Sequence, residues 1–273
     1  MASILNNVAA LGASRQLTST GLGLQGTIER LTTGRRINKA SDDAAGLAIS
    51  DKLGADIRIA AQGRRNANDG VSYLAVADGV LDEVTSLLTR AAELAQQAQS
   101  GTLSNTNRGS LDAEFQKIIS NIADIGLSTK FNGTAVFNSA STLAVAVAGY
   151  STINVTVSSI AQSSTVALGL TAATTVLSTA TLAATAATAI TAALDSVSSL
   201  RATIGASQQQ LNSISNSLGI QVENFTSAYS QIRDANVADE VVNLTKFQIL
   251  NQSGTSALAQ ANSASQQILA LLR

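Results

Sequence analysis

Apolar residues return every seven positions along the stretch 190–232, in alternating steps of four and three residues. Such a repeat keeps one apolar face turned toward a neighbouring helix, so it predicts a single long helix in a left-handed supercoil. Ten of the 13 positions on this stripe are apolar or aromatic, so the helix needs a partner. The positions are Ile190, Leu194, Val197, Arg201, Ile204, Gln208, Leu211, Ser215, Leu218, Val222, Phe225, Tyr229 and Ile232.

The same period returns in the segment 44–100, where two apolar stripes run side by side. Two adjacent stripes make a face wide enough to contact two neighbours, as in a helical bundle. A shorter helix with this spacing is predicted over 111–126, after turn and cap residues at 105–110. These segments are therefore predicted to pack with 190–232 as a bundle within one chain.

Three charged residues fall inside these stripes. Arg64 and Asp78 lie in the first long helix, and Arg201 lies in the last. A charge in such a seam pairs with a partner, faces the boundary with another chain, or extends to the solvent edge along its aliphatic stem. The sequence leaves these interpretations open.

The two ends of the chain, 1–32 and 241–273, have weaker apolar stripes that contain glycines. Each glycine inside a helix costs about 1 kcal/mol relative to alanine, so we expect these helices to be marginal alone. The order of segments lets the chain double back, which predicts that the two ends pair with each other. We expect residues of about 1–40 and 240–273 to be disordered in an isolated chain and to fold on association. The glycines are Gly12, Gly21, Gly23, Gly26 and Gly254.

The segment 33–43 is predicted to be a linker. Gly34 suits the end of the first helix, because glycine adopts the left-handed conformation of a helix C-terminus without strain. Ser41 or Asp42 is expected to cap the N-terminus of the next helix. A second, charged junction is expected at 233–240.

The middle of the chain has a different composition. From Phe131 to Leu194, 64 consecutive residues have no charge, and 21 of them are Ser or Thr. Apolar and polar residues alternate over 143–157 on both sides of Ala148-Gly149-Tyr150, which predicts a β-hairpin. The Ala- and Thr-rich stretch 161–188 is low in complexity and receives no assignment.

These patterns together predict a mainly α protein. It is a long antiparallel helical bundle or coiled coil with a small β-hairpin region, in which the N- and C-terminal helices pair. The predicted domains are the terminal helices with their linkers, the bundle, and a surface segment. Their boundaries are 1–43 with 236–273, 44–130 with 187–235, and 131–186.

Composition supports this architecture and excludes several kinds of chemistry. The chain lacks Pro, which fits long unbroken helices, and its aromatic content of 3% does not suit a thick globular core. The absence of His and Cys excludes imidazole catalysis, thiolate catalysis, disulfides and the usual zinc sites, so we expect neither an enzyme nor a cofactor. The net charge of −1 argues against nucleic-acid binding. Neither a secretory signal nor a run of about 20 apolar residues is apparent, so no membrane partner is expected.

Short motifs at both ends resemble those of bacterial flagellins. The N-terminal ones are Ile28-Glu-Arg-Leu-Thr-Thr-Gly-Arg-Arg-Ile-Asn-Lys-Ala-Ser-Asp-Asp-Ala-Ala-Gly46, Arg65-Asn-Ala-Asn-Asp-Gly70 and Phe131-Asn-Gly133. The C-terminal ones are Ala238-Asp-Glu-Val241, Gln248-Ile-Leu250, Ala257-Leu-Ala-Gln-Ala-Asn262 and Leu271-Leu-Arg273. The resemblance covers about residues 1–137 and 188–273, and it leaves no room for the large outer domains of many flagellins.

The resemblance implies a structural subunit that polymerises into the flagellar filament, where the terminal helices form the inner core. It also implies type III export, a secreted, extracellular location in the bacterial flagellum, and export chaperone, cap and hook-junction proteins as partners. The alternative within this class is a hook–filament junction protein. Arg201, Gln208 and Ser215 become the expected places of contact between subunits. The residues expected to pack in the filament core are Ile4, Val8, Leu11, Leu24, Ile28, Leu31, Leu244, Leu258, Ile268 and Leu272.

Two further surfaces are expected. The segment Thr89–Gln97 together with Glu114 resembles the part of flagellins that Toll-like receptor 5 recognises, and this implies roles for Arg90, Leu94 and Glu114. The alternative is that Leu94 packs between subunits and the charges are solvated. Ser and Thr residues within 139–191 are candidates for O-glycosylation, unless their segment is buried and the hydroxyls have no function.

Overall fold

The computed structural model describes residues 7–137, 141–147, 152–157, 168–170 and 175–271. It confirms the mainly α prediction. Five helices are described: α1 (Val8–Thr33), α2 (Ala44–Ala98), α3 (Asn105–Ser128), α4 (Ala180–Arg233) and α5 (Val237–Leu271). Four short strands accompany them: β1 (Lys130–Phe131), β2 (Thr134–Ala135), β3 (Ser141–Val145) and β4 (Ile153–Val157).

The chain divides into two compact units. One comprises Met1–Ile57 with Glu223–Arg273, and the other is Arg58–Val222. The division falls inside α2 and α4, whereas the sequence placed its boundaries at linkers. The predicted three-part organisation stays a prediction.

Within the larger unit, α2 and α4 run antiparallel. Gln99 donates to the carbonyl of Ala183, and Ser215 near the other end of α4 donates to Asn68. The predicted stripe faces inward over this length, because every second one of its positions from 190 to 218 is buried. These core positions are Ile190, Val197, Ile204, Leu211 and Leu218.

The third member of the bundle, α3, completes the core with Phe115, Ile118, Ile119 and Ile122. It begins at Asn105 rather than at 111, because the hydroxyl of Ser104 accepts a hydrogen bond from the backbone N–H of Asn107 and caps the helix. It also continues through Gly126 to Ser128.

Helix α4 begins ten residues before the predicted stripe, at Ala180. Ala183 and Ala186 are buried and continue the stripe toward the N-terminus with smaller side chains. The neighbouring Thr185 and Thr188 face outward, and each donates to a carbonyl one turn earlier. The sequence pattern does not reveal this buried face, because this part of the helix is rich in Ala and Thr, and neither residue is strongly apolar.

The predicted β-hairpin is confirmed. β3 pairs antiparallel with β4, from Ser141 opposite Val157 to Val145 opposite Ile153, so the register is centred on position 149 as expected. The turn residues 148–151 lie outside the described part of the chain. The hairpin contacts α2 closely, since Asn66 Nδ2 donates to the carbonyl of Ala146 over 2.9 Å.

A second hairpin was missed from sequence. β1 pairs with β2 across Asn132 and Gly133, whose φ angles are 49° and 79°. Two positive φ angles in a two-residue turn match the twist of the flanking strands, and Asn-Gly is the dipeptide that most favours this turn. That dipeptide was the available signal.

By length and composition alone, α4 is apolar enough to cross a membrane. A core helix of a bundle has the same properties, and the apolar stripe of α4 is buried against α2 and α3.

Candidate assembly surface

The terminal helices α1 and α5 pair antiparallel within the smaller unit, as predicted. Asn7 Nδ2 donates to the carbonyl of Ala261 over 3.0 Å at one end, and Arg30 Nη1 lies 3.3 Å from Glu240 Oε1 at the other. Although it contains four glycines, α1 is continuous over 26 residues.

The glycines instead permit close approach of the two helices. A Cβ atom added to Gly23 would lie 2.7 Å from Phe247 Cζ, which is closer than real side chains approach. A Cβ atom on Gly254 would lie 3.2 Å from Leu17 Cδ1. Each helix thus places one large side chain over a glycine of the other, and these two contacts set their relative register.

This helix pair has no apolar core of its own. Among the described side chains of α1 and α5, those that are buried belong to Thr20, Thr27 and Glu240, and none is apolar. Large apolar side chains are exposed on both helices instead. They are Val8, Leu11, Leu22, Ile28, Val237, Val241, Val242, Ile249 and Leu250.

Backbone hydrogen bonds hold together the two linkers that join this pair to α2 and α4. Gly34 ends α1 in the predicted left-handed conformation, with a φ of 68°. The N–H of Arg36 donates to the carbonyl of Arg233 over 2.7 Å, and the N–H of Ala235 donates to that of Gly34 over 3.0 Å. Ile37 follows and is buried.

The predicted cap of α2 is wrong by one residue. Asp43 Oδ1 accepts from the N–H of Gly46 over 2.9 Å and therefore supplies the N-cap. Asp42 turns back into the linker, where its Oδ2 accepts from the N–H groups of Lys39 and Asn38, both over 3.0 Å. These two hydrogen bonds lower the pKa of Asp42.

Ion pairs between charged side chains also stabilise the linkers and the helix ends beside them. Lys39 Nζ lies 2.6 Å from Glu29 Oε2, and this hydrogen bond raises the pKa of Lys39. Arg233 Nη1 lies 2.7 Å from Asp51 Oδ1. The first pair joins the linker to α1, and the second joins the end of α4 to α2, through side chains that sequence spacing does not bring together.

The residues predicted for the filament core have different surroundings in this single chain. Val8, Leu11 and Ile28 are exposed. The positions that are partly buried are Leu24, Leu31, Leu244 and Leu258. Ile4 and Leu272 lie outside the described residues, as does the side chain of Ile268. Their packing in a filament stays a prediction.

In the larger unit, Arg90 and Glu114 lie together on the surface. Arg90 Nη2 lies 2.9 Å from Glu114 Oε1, and Nη1 lies 3.0 Å from Glu93 Oε2. Hydrogen bonding to Glu114 and then to Glu93 raises the pKa of Arg90. Leu94 is 1% exposed and packs inside the bundle, so it supports this surface from below and offers none to a receptor. Receptor recognition stays a prediction.

The Ser and Thr residues of the uncharged middle segment differ in their exposure. Within α4, Thr181, Thr185, Thr188 and Thr191 are exposed, while Thr175 before the helix is buried. Many of the other Ser and Thr residues of 139–191 lie outside the described part. O-glycosylation of this segment stays a prediction.

The charged positions inside the stripes have different roles. Arg201 Nε lies 2.9 Å from Asp78 Oδ1, and its Nη1 lies 2.8 Å from Asp82 Oδ1. The hydrogen bond to Asp78 is the largest cause of the raised pKa of Arg201. Arg201 and Ser215 therefore have partners within the chain, which does not support their expected role between subunits. Arg64 is exposed and forms no ion pair with any described residue.

In the described part of the chain, no group of three or more acidic side chains could hold a metal ion. The best candidate for a binding surface is the α1–α5 pair, because its exposed apolar side chains can contact other molecules.

Comparisons with known proteins identify the family of this chain. Family profiles for the bacterial flagellin N-terminal and C-terminal helical regions match residues 4–142 and 187–272. A flagellin of Halalkalibacterium halodurans is 36% identical over 273 residues and covers 99% of both chains. The flagellar filament 30.7 kDa core protein of Treponema maltophilum is 34% identical over 283 residues, covering 98% of this chain and 99% of its own. A crystal structure of Bacillus cereus flagellin is 28% identical with a TM-score of 0.49, covering 56% of this chain and 88% of that chain. The chain therefore belongs to the bacterial flagellin family.

Proposed function

We propose that this protein is the subunit of a flagellar filament and that it polymerises through its α1–α5 pair. The observation that supports this most strongly is that the described part of the pair buries no apolar side chain but exposes nine large ones on the two helices. Full-length relatives that are named flagellin or filament core protein support the same function.

The energetics favour folding coupled to assembly. Two helices of 26 and 35 residues lose backbone entropy on folding. Without an apolar core, little favourable free energy of burial offsets this loss. Burying a Val, Leu or Ile side chain fully stabilises by about 1.5–3 kcal/mol, so neighbouring subunits can supply what one chain lacks. Contacts between head and tail surfaces that do not close into a ring extend into an open helical polymer.

The competing interpretations have less support. The curated relatives that support the function are flagellins and filament core proteins, and nothing favours a hook–filament junction protein. The family is structural, which argues against an enzyme. Location in the extracellular flagellum, and contacts with export chaperone, cap and hook-junction proteins, follow as part of the proposal.

Polymerisation of purified protein tests the proposal. Electron microscopy should show smooth helical filaments, and discrete closed oligomers would refute the proposed function. Leu22→Ser and Ile249→Ser each remove a side chain that is about two-thirds exposed, and each should raise the critical concentration severalfold. Gln252→Ser changes an exposed polar residue of α5, so it is the matched control and should leave the critical concentration unchanged.

A second function rests on the Arg90–Glu114 pair. We propose that this exposed pair is the part of the chain that Toll-like receptor 5 contacts, with Leu94 holding it from inside the bundle. Arg90→Ala should lower activation in a receptor reporter assay, while Arg58→Ala on the same helix should not. Equal responses from Arg90→Ala and the unchanged protein would remove this function.

A further inference from the structure

The larger unit contains a pocket of about 300 Å³ where the β3–β4 hairpin lies against α2. Its walls are mainly apolar and include Tyr73, Phe131 and Leu143. The Tyr73 and Phe131 rings meet edge to face, with centroids 5.6 Å apart. The Tyr73 hydroxyl points inward to the carbonyl of Val136, so the ring itself forms the wall.

Asp69 lies at the rim of this pocket and is exposed. It has neither a hydrogen-bond nor an ion-pair partner among the residues that the structure describes. An apolar pocket with one free carboxylate suits a ligand that combines an aliphatic body with a cation, and an arginine side chain has both.

The same unit also carries an exposed cation that could fill such a pocket in another copy. Arg64 is exposed, and a Cβ atom on Gly219 of α4 would lie 3.9 Å from its Nη1. Gly219 has no side chain to cover the guanidinium. The next residue, Ile220, is 61% exposed and adds an apolar surface beside the charge.

The two features face different directions. Arg64 and Asp69 are five residues apart on α2, which places them about 140° apart around the helix axis at 3.6 residues per turn. Arg64 lies on the side of α4, and Asp69 lies on the side of the hairpin. A polymer built from heterologous contacts needs complementary patches on different sides of one subunit, because identical faces would close a dimer.

We infer that the pocket at Asp69 receives Arg64, with Ile220 beside it, from a second copy of this chain. This contact is a lateral interface of the larger unit, and it rests on the proposed function because it operates between subunits of the filament. The filament then has a polar contact in addition to the apolar α1–α5 contacts. This polar contact selects the orientation of neighbouring subunits.

Charge reversal tests the contact. Asp69→Arg and Arg64→Asp should each raise the critical concentration for polymerisation by about fivefold or more, because each places like charges together at a partly desolvated site. The double variant Arg64→Asp/Asp69→Arg restores the pair with its direction reversed, and it should return the critical concentration to within about twofold of the unchanged protein. Sedimentation of filaments grown from seeds measures all four proteins.

Asp195→Arg and Lys117→Asp are matched controls, since both residues are exposed and neither is near the pocket. Circular dichroism of each monomer verifies that the bundle is folded. Single variants that polymerise like the controls, or a double variant no better than the singles, would overturn the contact. Failure of the unchanged protein to polymerise would refute the proposed function instead.

Discussion

Arg108 provides the sharpest test of how the bundle is held together. Its side chain is buried, with the residue 7% exposed, at the turn between α2 and α3. Nε donates to the carbonyl of Ala98 and Nη2 to that of Ser100, both over 2.8 Å, while Nη1 donates to Asn105 Oδ1 over 2.9 Å. Arg108 therefore satisfies carbonyls at the C-terminus of α2, where the helix provides no donors.

Replacing Arg108 with Met keeps much of the apolar stem and removes every donor. The carbonyl of Ala98, a fully buried residue, then lacks a partner, which costs about 1–3 kcal/mol. Ser100 and Asn105 are exposed and can bind water, so their loss is smaller. Loss of a cation at a helix C-terminus adds about 0.3–1 kcal/mol, giving a total of about 2–4 kcal/mol.

Arg90→Met is the matched control. Arg90 also makes three side-chain hydrogen bonds, but its acceptors are exposed carboxylates that water solvates after the substitution. If the number of ion pairs determined the contribution to stability, Arg90 would contribute more than Arg108. Their difference in burial predicts the opposite order. Urea unfolding of the monomer, followed by circular dichroism, should show a midpoint lowered by about 1–2 M for Arg108→Met and hardly changed for Arg90→Met. Equal midpoints for the two variants would refute the reasoning.

Two further predictions concern the smaller unit. Gly23→Ala places a methyl group against the Phe247 ring, so it should weaken the α1–α5 pair and slow filament growth, although alanine is the better helix former. Gly12→Ala, which meets nothing within 4 Å, should not slow growth, and equal growth of both variants would contradict the close contact. The pKa of Asp42 is lowered in the folded chain, so its stabilisation is present above the unfolded pKa of about 3.9 and is lost as the pH falls through the lower folded value. Thermal unfolding midpoints of filaments should therefore fall more steeply below about pH 4 for the unchanged protein than for Asp42→Asn, and parallel curves would remove this role.

The sequence predicts the bundle well because its signal is periodic and strong. Ile190, Ile204 and Leu218 recur at multiples of seven, and all three are buried. Periodicity also marked Arg201 as a charge that needs explanation. It could not identify Asp78 and Asp82 as the partners, because that requires the antiparallel register of α2 and α4.

Other features depend on tertiary contacts that leave no periodic signal. Arg108 appears in the sequence as one of many charges near a turn, and its role becomes visible only when the end of α2 folds back over it. Gly23 and Gly254 were interpreted as weak points, since propensity is a property of one helix and close packing is a property of two. The cap of α2 at Asp43 rather than Asp42 depends on the path of the linker.

The candidate assembly surface was predicted in location and not in detail. Weak stripes at both ends indicated helices that need a partner, and α1 and α5 do pair. The sequence could not show that this pairing leaves Leu22 and Ile249 exposed, because which face turns inward depends on the Phe247 and Leu17 contacts.

Hydrogen–deuterium exchange, compared between dilute monomer and filament, tests most directly whether the terminal helices complete their folding through neighbours. Peptides from Val8–Thr33 and Val237–Leu271 should exchange rapidly in the monomer and slowly in the filament, while the α2 core around Leu81 stays protected in both. Strong protection of both terminal helices in dilute monomer would contradict the coupling of folding to assembly.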